Sequence, residues 1–146
     1  MTWKCALVLI VATVCFAKTV NYKDCGSVSG TIYSIDVTPC DVEPCTLHAN
    51  TNYSVHINFT SKVNSKTAKN LVHGIIAGVP VPFPVPVDCC ENNNMRCPIV
   101  AGYNDIYSNT IFCSPDYPKI RLVMKWEVQD DNGLDIMCYE IPLQIS

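Results

Sequence analysis

Cysteine and histidine side chains are the groups in this sequence best suited to chemistry, and their surroundings argue against catalysis. The chain has ten cysteines and three histidines in 146 residues. His48, His56 and His73 have no serine or cysteine motif near them, and the sequence contains no Gly-rich phosphate loop or nucleophile elbow. The adjacent acids Asp130 and Asp131 lie in a turn sequence, which favours a hairpin over acid–base catalysis. The sequence therefore predicts a protein that is not an enzyme.

The first 17 residues have the pattern of a secretory signal peptide. Lys4 precedes an almost wholly apolar run over residues 5–17, which is too short to span a bilayer. Ala17 has the small side chain that suits a cleavage site, and the polar sequence KTVNYKD follows it. We therefore expect residues 1–17 to be a signal peptide, residues 18–146 to be one domain, and the protein to be secreted and extracellular. The alternative is an N-terminal membrane anchor.

Secretion makes disulfide bonds the expected state of the remaining cysteines. Eight cysteines lie beyond residue 17, and an even number is typical of a disulfide framework. Their spacing alone permits about 105 pairings. A zinc site is the alternative, but Cys40 and Cys45 have no matching second pair with histidine. We therefore predict disulfides, no metal and no cofactor. The net charge of −3 also argues against a nucleic-acid partner.

Short alternating segments predict the elements that hold these residues. In Tyr53–Thr60 four apolar side chains alternate with four polar ones, as in a half-buried strand. Similar patterns begin at Ile120 (IRLVMKWEV) and Tyr139 (YEIPLQI), and further candidates span residues 31–37, 71–79 and 103–112. Turn sequences such as HANTN, SPDYP and DDNG separate them, and no long helical periodicity occurs. This pattern predicts an antiparallel β-sandwich.

The segment GVPVPFPVPVDCC, residues 78–90, predicts an unusual strand. Every second residue from Pro80 to Pro86 is proline, and the residues between are apolar. Proline cannot donate a ladder hydrogen bond, so such a segment belongs at the edge of a sheet, where it also blocks unwanted strand addition. We expect Val81 and Phe83 to face inward from this edge.

The inner faces of the predicted strands carry large rings, which have two interpretations. Tyr53, Phe59, Phe83, Trp126 and Tyr139 would pack a core, or they would line a cavity for an apolar ligand. Periodicity alone does not separate the two.

Two glycosylation sequons lie on the first of these strands. Asn52-Tyr53-Ser54 and Asn58-Phe59-Thr60 both match the acceptor pattern. Asn52 and Asn58 share strand parity, so we expect both to point away from the aromatic face.

A collinear set of motifs resembles the ML, or lipid-recognition, family, and in particular its small soluble sterol carriers. The motifs run in order through the mature chain: DCGS, PC…EPC, NYSV, VHGI, GVPVPFPVP, CPI, YP.I.LV..WE.QDD and C.EIP.QI. The resemblance implies an immunoglobulin-like sandwich of about seven strands, with an apolar tunnel between the sheets. It also implies a monomeric carrier that binds cholesterol, another sterol or a fatty lipid. Such a carrier contacts membrane surfaces transiently, passes its lipid to a membrane sterol transporter or receptor, and also occurs in the lysosomal lumen.

The resemblance also assigns residues. It implies disulfides Cys25–Cys138 and Cys40–Cys45, and a third between Cys97 and either Cys90 or Cys89. It implies an exposed apolar knob for membrane or partner contact at His73, Gly74, Ile75 and Ile76. It implies an entrance guarded by Phe83 and Tyr117. The residues that it places on the tunnel wall are Tyr53, Val55, Val81, Phe83, Tyr117, Pro118, Trp126 and Tyr139.

Three positions depart from the family pattern, and they are Cys89, Cys113 and Tyr139. Cys113 stands where a valine commonly lines the tunnel mouth, and Tyr139 stands where a tryptophan is common. If Cys90 pairs with Cys97, then Cys89 and Cys113 are left to form a fourth disulfide or to stay free. Strict sterol specificity is therefore in question, and alternative functions are a carrier of fatty acids or semiochemicals and innate-immune recognition of microbial lipid.

Overall fold

The computed structural model describes residues 9–10 and 17–146. Within these residues the chain forms ten strands and one short helix. The strands are β1 (Lys18–Thr19), β2 (Lys23–Asp24), β3 (Gly30–Thr38), β4 (Cys45–Leu47), β5 (Thr51–Ser61), β6 (Lys69–Ile76), β7 (Val79–Pro82), β8 (Asn104–Cys113), β9 (Arg121–Gln129) and β10 (Asp135–Ile145), and the helix is α1 (Cys89–Asn92). The predicted signal peptide lies outside the described residues except at positions 9, 10 and 17, and it stays a prediction.

The strands form two sheets, which confirms the predicted β-sandwich. The first sheet has the order β1-β3-β5-β8, and the second has the order β2-β10-β9-β6-β7 with β4 beside β10. The pairing is antiparallel except between β4 and β10, which run parallel. Seven of the strands have at least four residues, and β1, β2 and β4 are shorter additions. No helix in the described residues is long and apolar enough to cross a membrane.

Strand β5 shows how the sequence pattern builds the core. It lies between β3 and β8 in the first sheet. Tyr53, Val55, Ile57 and Phe59 are all buried, whereas the intervening side chains are half-buried or exposed. This is the predicted alternation, and it directs four large apolar side chains toward the second sheet.

Residues 71–79 were predicted as one strand, and that prediction is wrong at its end. The strand β6 stops at Ile76, and Val79 begins β7 on the other side of a hairpin. Ala77 and Gly78 form the turn, with φ of 49° and 79°. Ala77 has a left-handed backbone conformation that is unusual for a residue with a Cβ. Its apolar side chain continues the strand pattern, so the sequence did not indicate a turn there.

The proline-rich segment occupies the edge of the second sheet, as predicted. The backbone N–H of Phe83 donates to the carbonyl of Val72 at 2.9 Å, so this position faces the neighbouring strand. Successive backbone nitrogens of a strand point to opposite sides, so the nitrogens of Pro82 and Pro84 lie on the outer side, away from β6. The missing donors therefore cost the ladder nothing and leave the edge unable to recruit another strand.

Three disulfides have formed in the pairs that the resemblance implied. They are Cys25–Cys138, Cys40–Cys45 and Cys90–Cys97. The first joins residues 113 positions apart and ties the start of the domain to β10.

A fourth bridge between Cys89 and Cys113 does not form, because the two residues lie far apart in the sandwich. Both are buried free thiols. Cys89 lies near Tyr107, and Cys113 ends the same strand β8 six residues later, about 20 Å along an extended chain. A disulfide needs Cα atoms within about 7 Å.

Candidate functional site

An apolar cavity of about 160 Å³ lies between the two sheets. Strands from both sheets and the loop between β8 and β9 supply its wall. The wall includes all nine residues that the sequence singled out for lipid binding: Tyr53, Val55, Val81, Phe83, Cys113, Tyr117, Pro118, Trp126 and Tyr139. Their convergence on one cavity is a structural fact, and their contact with a lipid stays a prediction.

Strand alternation explains why the wall is so apolar. On β9 the cavity receives Leu122, Met124 and Trp126, and on β10 it receives every second residue from Tyr139 to Ile145. Their neighbours Arg121, Lys125 and Glu127 point the other way, toward solvent. No charged residue lines the cavity within the described part of the chain.

Two aromatic rings lie at the exposed end of the cavity, beside Val81 and Pro118. We call this end the mouth, and its role as an entrance stays a prediction. Phe83 and Tyr117 meet edge to face, with ring centroids 5.6 Å apart and an angle of 65° between their planes. Both side chains are half-buried. The two side chains are in contact, and no hydrogen bond joins them in the described structure. The rings can therefore separate without breaking a hydrogen bond of either sheet.

The deep end of the cavity rests on a buried polar network that the sequence analysis missed. The side-chain oxygen of Asn70 accepts hydrogen bonds from the Tyr107 hydroxyl at 2.7 Å and from the Trp126 indole N–H at 3.2 Å. The Asn70 side-chain N–H donates to Asn93 Oδ1 at 2.7 Å and to the Pro86 carbonyl at 2.9 Å. The Trp126 ring that faces the cavity is thereby fixed in orientation.

Asn70 was missed because a polar residue near the start of an apolar strand looks like an outward-facing one. Burial raises the pKa of Tyr107, despite its hydrogen bonds, so its hydroxyl remains a donor.

Other wall residues were also missed, and two of them had been assigned elsewhere. Gly74 and Ile76 line the cavity, whereas the sequence placed them in an exposed knob with His73 and Ile75. In the structure Gly74 is buried and the other three are half-buried, because all four belong to β6 and alternate between its faces. The four residues therefore do not form a continuous exposed surface, and their contact with a membrane or a partner stays a prediction. A Cβ on Gly74 would lie 3.3 Å from the Leu122 side chain, so glycine keeps this part of the wall open.

Cys113 contributes a thiol to the cavity wall. It is 1% exposed and packs with Leu47, Tyr53 and Tyr117. Burial raises its pKa, so the group is a neutral, weakly polar thiol at neutral pH. It acts there as a small apolar side chain.

The two sequons lie on the outer face of β5, as expected. Asn52 is exposed, and Asn58 is half-buried and accepts a hydrogen bond from the Asn104 side chain at 2.7 Å. Glycan attachment at either site stays a prediction.

One acidic cluster among the described residues could be mistaken for a metal site. Glu127, Asp135 and Cys138 have ligand atoms within 4.8 Å of one another. The Cys138 sulfur is bonded to Cys25, so it offers no thiolate to a metal.

The fold and the cavity define a class: a β-sandwich protein whose two sheets enclose an apolar binding cavity. The chain belongs to the ML-domain family, whose model matches residues 19–145.

Several relatives carry the name NPC intracellular cholesterol transporter 2. The Danio rerio protein is 42% identical over 129 residues, covering 88% of this chain and 87% of the relative. The Mus musculus protein is 40% identical over 149 residues, covering 100% of this chain and 99% of the relative. Among solved structures, a Niemann-Pick type C2 protein from the Japanese carpenter ant superposes with a TM-score of 0.82 at 27% identity, covering 87% of this chain and all of that chain.

Proposed function

We propose that this chain is a non-enzymatic carrier that binds one sterol or fatty lipid in the cavity between its sheets and passes it between membranes or partner proteins. The observation that carries the proposal is the cavity wall, which is built by both sheets and contains no charged residue in the described structure. Removing an apolar ligand from water into such a wall is favourable by ~25 cal/mol per Å². The names of the similar proteins, which are cholesterol transporters, support the same function.

The carrier works by shielding its ligand, and the aromatic mouth controls entry. The cavity volume of about 160 Å³ is smaller than the ~300–1,000 Å³ of pockets that hold drug-sized ligands. A sterol therefore requires the wall to widen. The mouth pair Phe83 and Tyr117 is the part of the wall best able to move, because it is half-buried and held only by packing.

A second candidate ligand is a fatty acid or another single-chain lipid. The narrow volume favours it, because one acyl chain needs less widening than a fused ring system. In this mode the carboxylate stays at the mouth in water, since the uncharged wall would leave it without a partner.

We propose that the protein acts outside the cell or in the lysosomal lumen after secretion. The signal-peptide pattern and three disulfides support an oxidising compartment. The proposal includes transient membrane contact and delivery of the lipid to a membrane transporter or receptor. Innate-immune recognition of microbial lipid is an alternative function of the same cavity.

Titration of the mature protein with a fluorescent sterol and a fluorescent fatty acid tests the proposal. We expect saturable binding of one molecule per chain for at least one of the two lipids. No saturable binding of either lipid by folded protein would overturn the proposal.

A further inference from the structure

Tyr139 presents an unpaired hydroxyl to the deep end of the cavity. The residue is 3% exposed and lines the cavity wall. Its ring stacks parallel to that of Trp126, with centroids 6.5 Å apart and planes at 7°. Trp126 is itself 2% exposed, whereas Val81 at the edge is 44% exposed, so Tyr139 and Trp126 belong to the buried part of the wall, which is its deep end.

The hydroxyl of Tyr139 has no hydrogen-bond partner among the described residues. It takes no part in the network of Asn70, Tyr107 and Trp126. Tyr107 nevertheless lies close enough to help raise the pKa of Tyr139. Among the described residues, Asp130 Oδ2 and Asp135 Oδ1 are unpaired and have no accessible surface, whereas the unpaired Tyr139 hydroxyl keeps some accessible surface. Its oxygen therefore borders the cavity rather than packed protein.

An unpaired buried hydroxyl is costly, so its position in a cavity indicates a ligand group that pairs with it. Burial raises the pKa of Tyr139 well above its ordinary value. The group therefore stays protonated and donates. The ligand must supply an acceptor at the end that enters the cavity first.

The charge of that ligand group follows from the wall. No lysine, arginine or histidine lines the cavity in the described part of the chain, so a carboxylate at the deep end would be buried without a cation. A neutral hydroxyl or carbonyl satisfies the phenol without this penalty.

We propose that Tyr139 is a specificity-determining residue that selects lipids with a neutral hydroxyl or carbonyl on the tail that enters the cavity first. This inference rests on the proposed carrier function and names its ligand class. A sterol with a hydroxylated side chain and a fatty acid with a hydroxyl at its tail end share this chemistry.

Two matched ligand pairs test the inference and separate these sources. Binding of cholesterol is compared with 25-hydroxycholesterol, and binding of palmitic acid with 16-hydroxypalmitic acid. In the unmodified protein we expect the hydroxylated member of at least one pair to bind about three- to tenfold more tightly. Tyr139→Phe keeps the stacked ring and should abolish that preference. Tyr33→Phe removes an exposed hydroxyl that does not line the cavity and should leave the preference intact.

The outcomes distinguish this inference from the proposed function. If all four lipids fail to bind, the carrier function itself is wrong. If lipids bind but Tyr139→Phe leaves the ratio within each pair unchanged, the carrier stands and the role of Tyr139 is wrong. The thermal midpoint gives a second readout: removing a hydroxyl without a protein partner should leave it equal or higher. A marked loss of stability in Tyr139→Phe would show that the hydroxyl serves the fold and would also overturn the inference.

Discussion

Phe83 and Tyr117 meet edge to face across the mouth of the cavity, with ring centroids 5.6 Å apart. Phe83 directly follows the edge strand β7 of the second sheet, and Tyr117 lies in the loop that leaves the first sheet after β8. The contact therefore joins the two elements at this end of the cavity without a covalent bond or a hydrogen bond between the two side chains.

Replacing Phe83 with alanine should weaken lipid binding by about five- to thirtyfold, because a partly buried phenyl group contributes ~1–2 kcal/mol of apolar contact. Dissociation should also become faster as the mouth opens. Equilibrium titration and stopped-flow release of a fluorescent lipid measure the two effects. Val79→Ala is the control, because Val79 begins the adjoining strand β7, is 60% exposed and does not line the cavity. Equal binding by the Phe83 and Val79 variants would contradict the assignment of the mouth.

Replacing Asn70 with alanine should lower the free energy of unfolding by about 2–4 kcal/mol, because it leaves the buried Tyr107 hydroxyl and Trp126 indole N–H short of their shared acceptor. Urea denaturation measures the change. Tyr107→Phe removes one member of the network and should cost less. Asn52→Ala, at an exposed position on β5, should be close to neutral. An Asn70 variant as stable as the unmodified protein would show that the network does not support the deep end.

The mature protein should react slowly with water-soluble thiol reagents, because the two free thiols in the described part of the chain, Cys89 and Cys113, are buried. Burial also raises the pKa of Cys89 to about 12. After denaturation without reduction, mature protein that lacks the signal peptide should titrate two thiols. Cys89→Ser should reduce that number to one. A count of zero in the denatured protein would mean that Cys89 and Cys113 are disulfide-bonded after all.

Titration of Asp135 should make the fold more stable in mild acid than at neutral pH. Burial, and then the negative charge of Glu127, raise the pKa of Asp135 from 3.8 to about 6. Between these two pH values the folded state binds more protons than the unfolded state. The stability that is linked to protonation of Asp135 is therefore complete below about pH 4 and is lost as the pH rises through 6. Asp135→Asn should remove the pH dependence and raise the thermal midpoint at neutral pH. A thermal midpoint for the variant that changes with pH as in the unmodified protein would contradict this assignment.

Much of this fold follows from sequence because the strongest signals depend on strand alternation. The alternation in β5 predicted four buried positions correctly, and the prolines of residues 80–86 predicted an edge, because proline physically cannot donate to a ladder. Features that depend on backbone irregularity were not accessible in the same way. The turn at Ala77 and Gly78 and the shift in register between Ile32 and Ser34 have no alternation signal.

The site was predictable in its members but not in its polar details. Aromatic residues on inner faces fit a packed core as well as a cavity, and the resemblance to the family, rather than the pattern, favoured the cavity. The surroundings of Asn70 and Tyr139 are formed by strands distant in sequence. No local sequence pattern therefore shows that Asn70 is buried or that the Tyr139 hydroxyl is unpaired. The volume of the cavity likewise depends on the separation of the sheets.

Native mass spectrometry of the purified mature protein, before and after exposure to a mixed lipid extract, tests the central claim most directly. The account predicts a folded monomer that gains the mass of one sterol or one fatty lipid per chain and releases it on activation. Folded protein that takes up no lipid from the extract, or that takes up lipid equally well when Phe83 and Trp126 are both replaced by alanine, would contradict it.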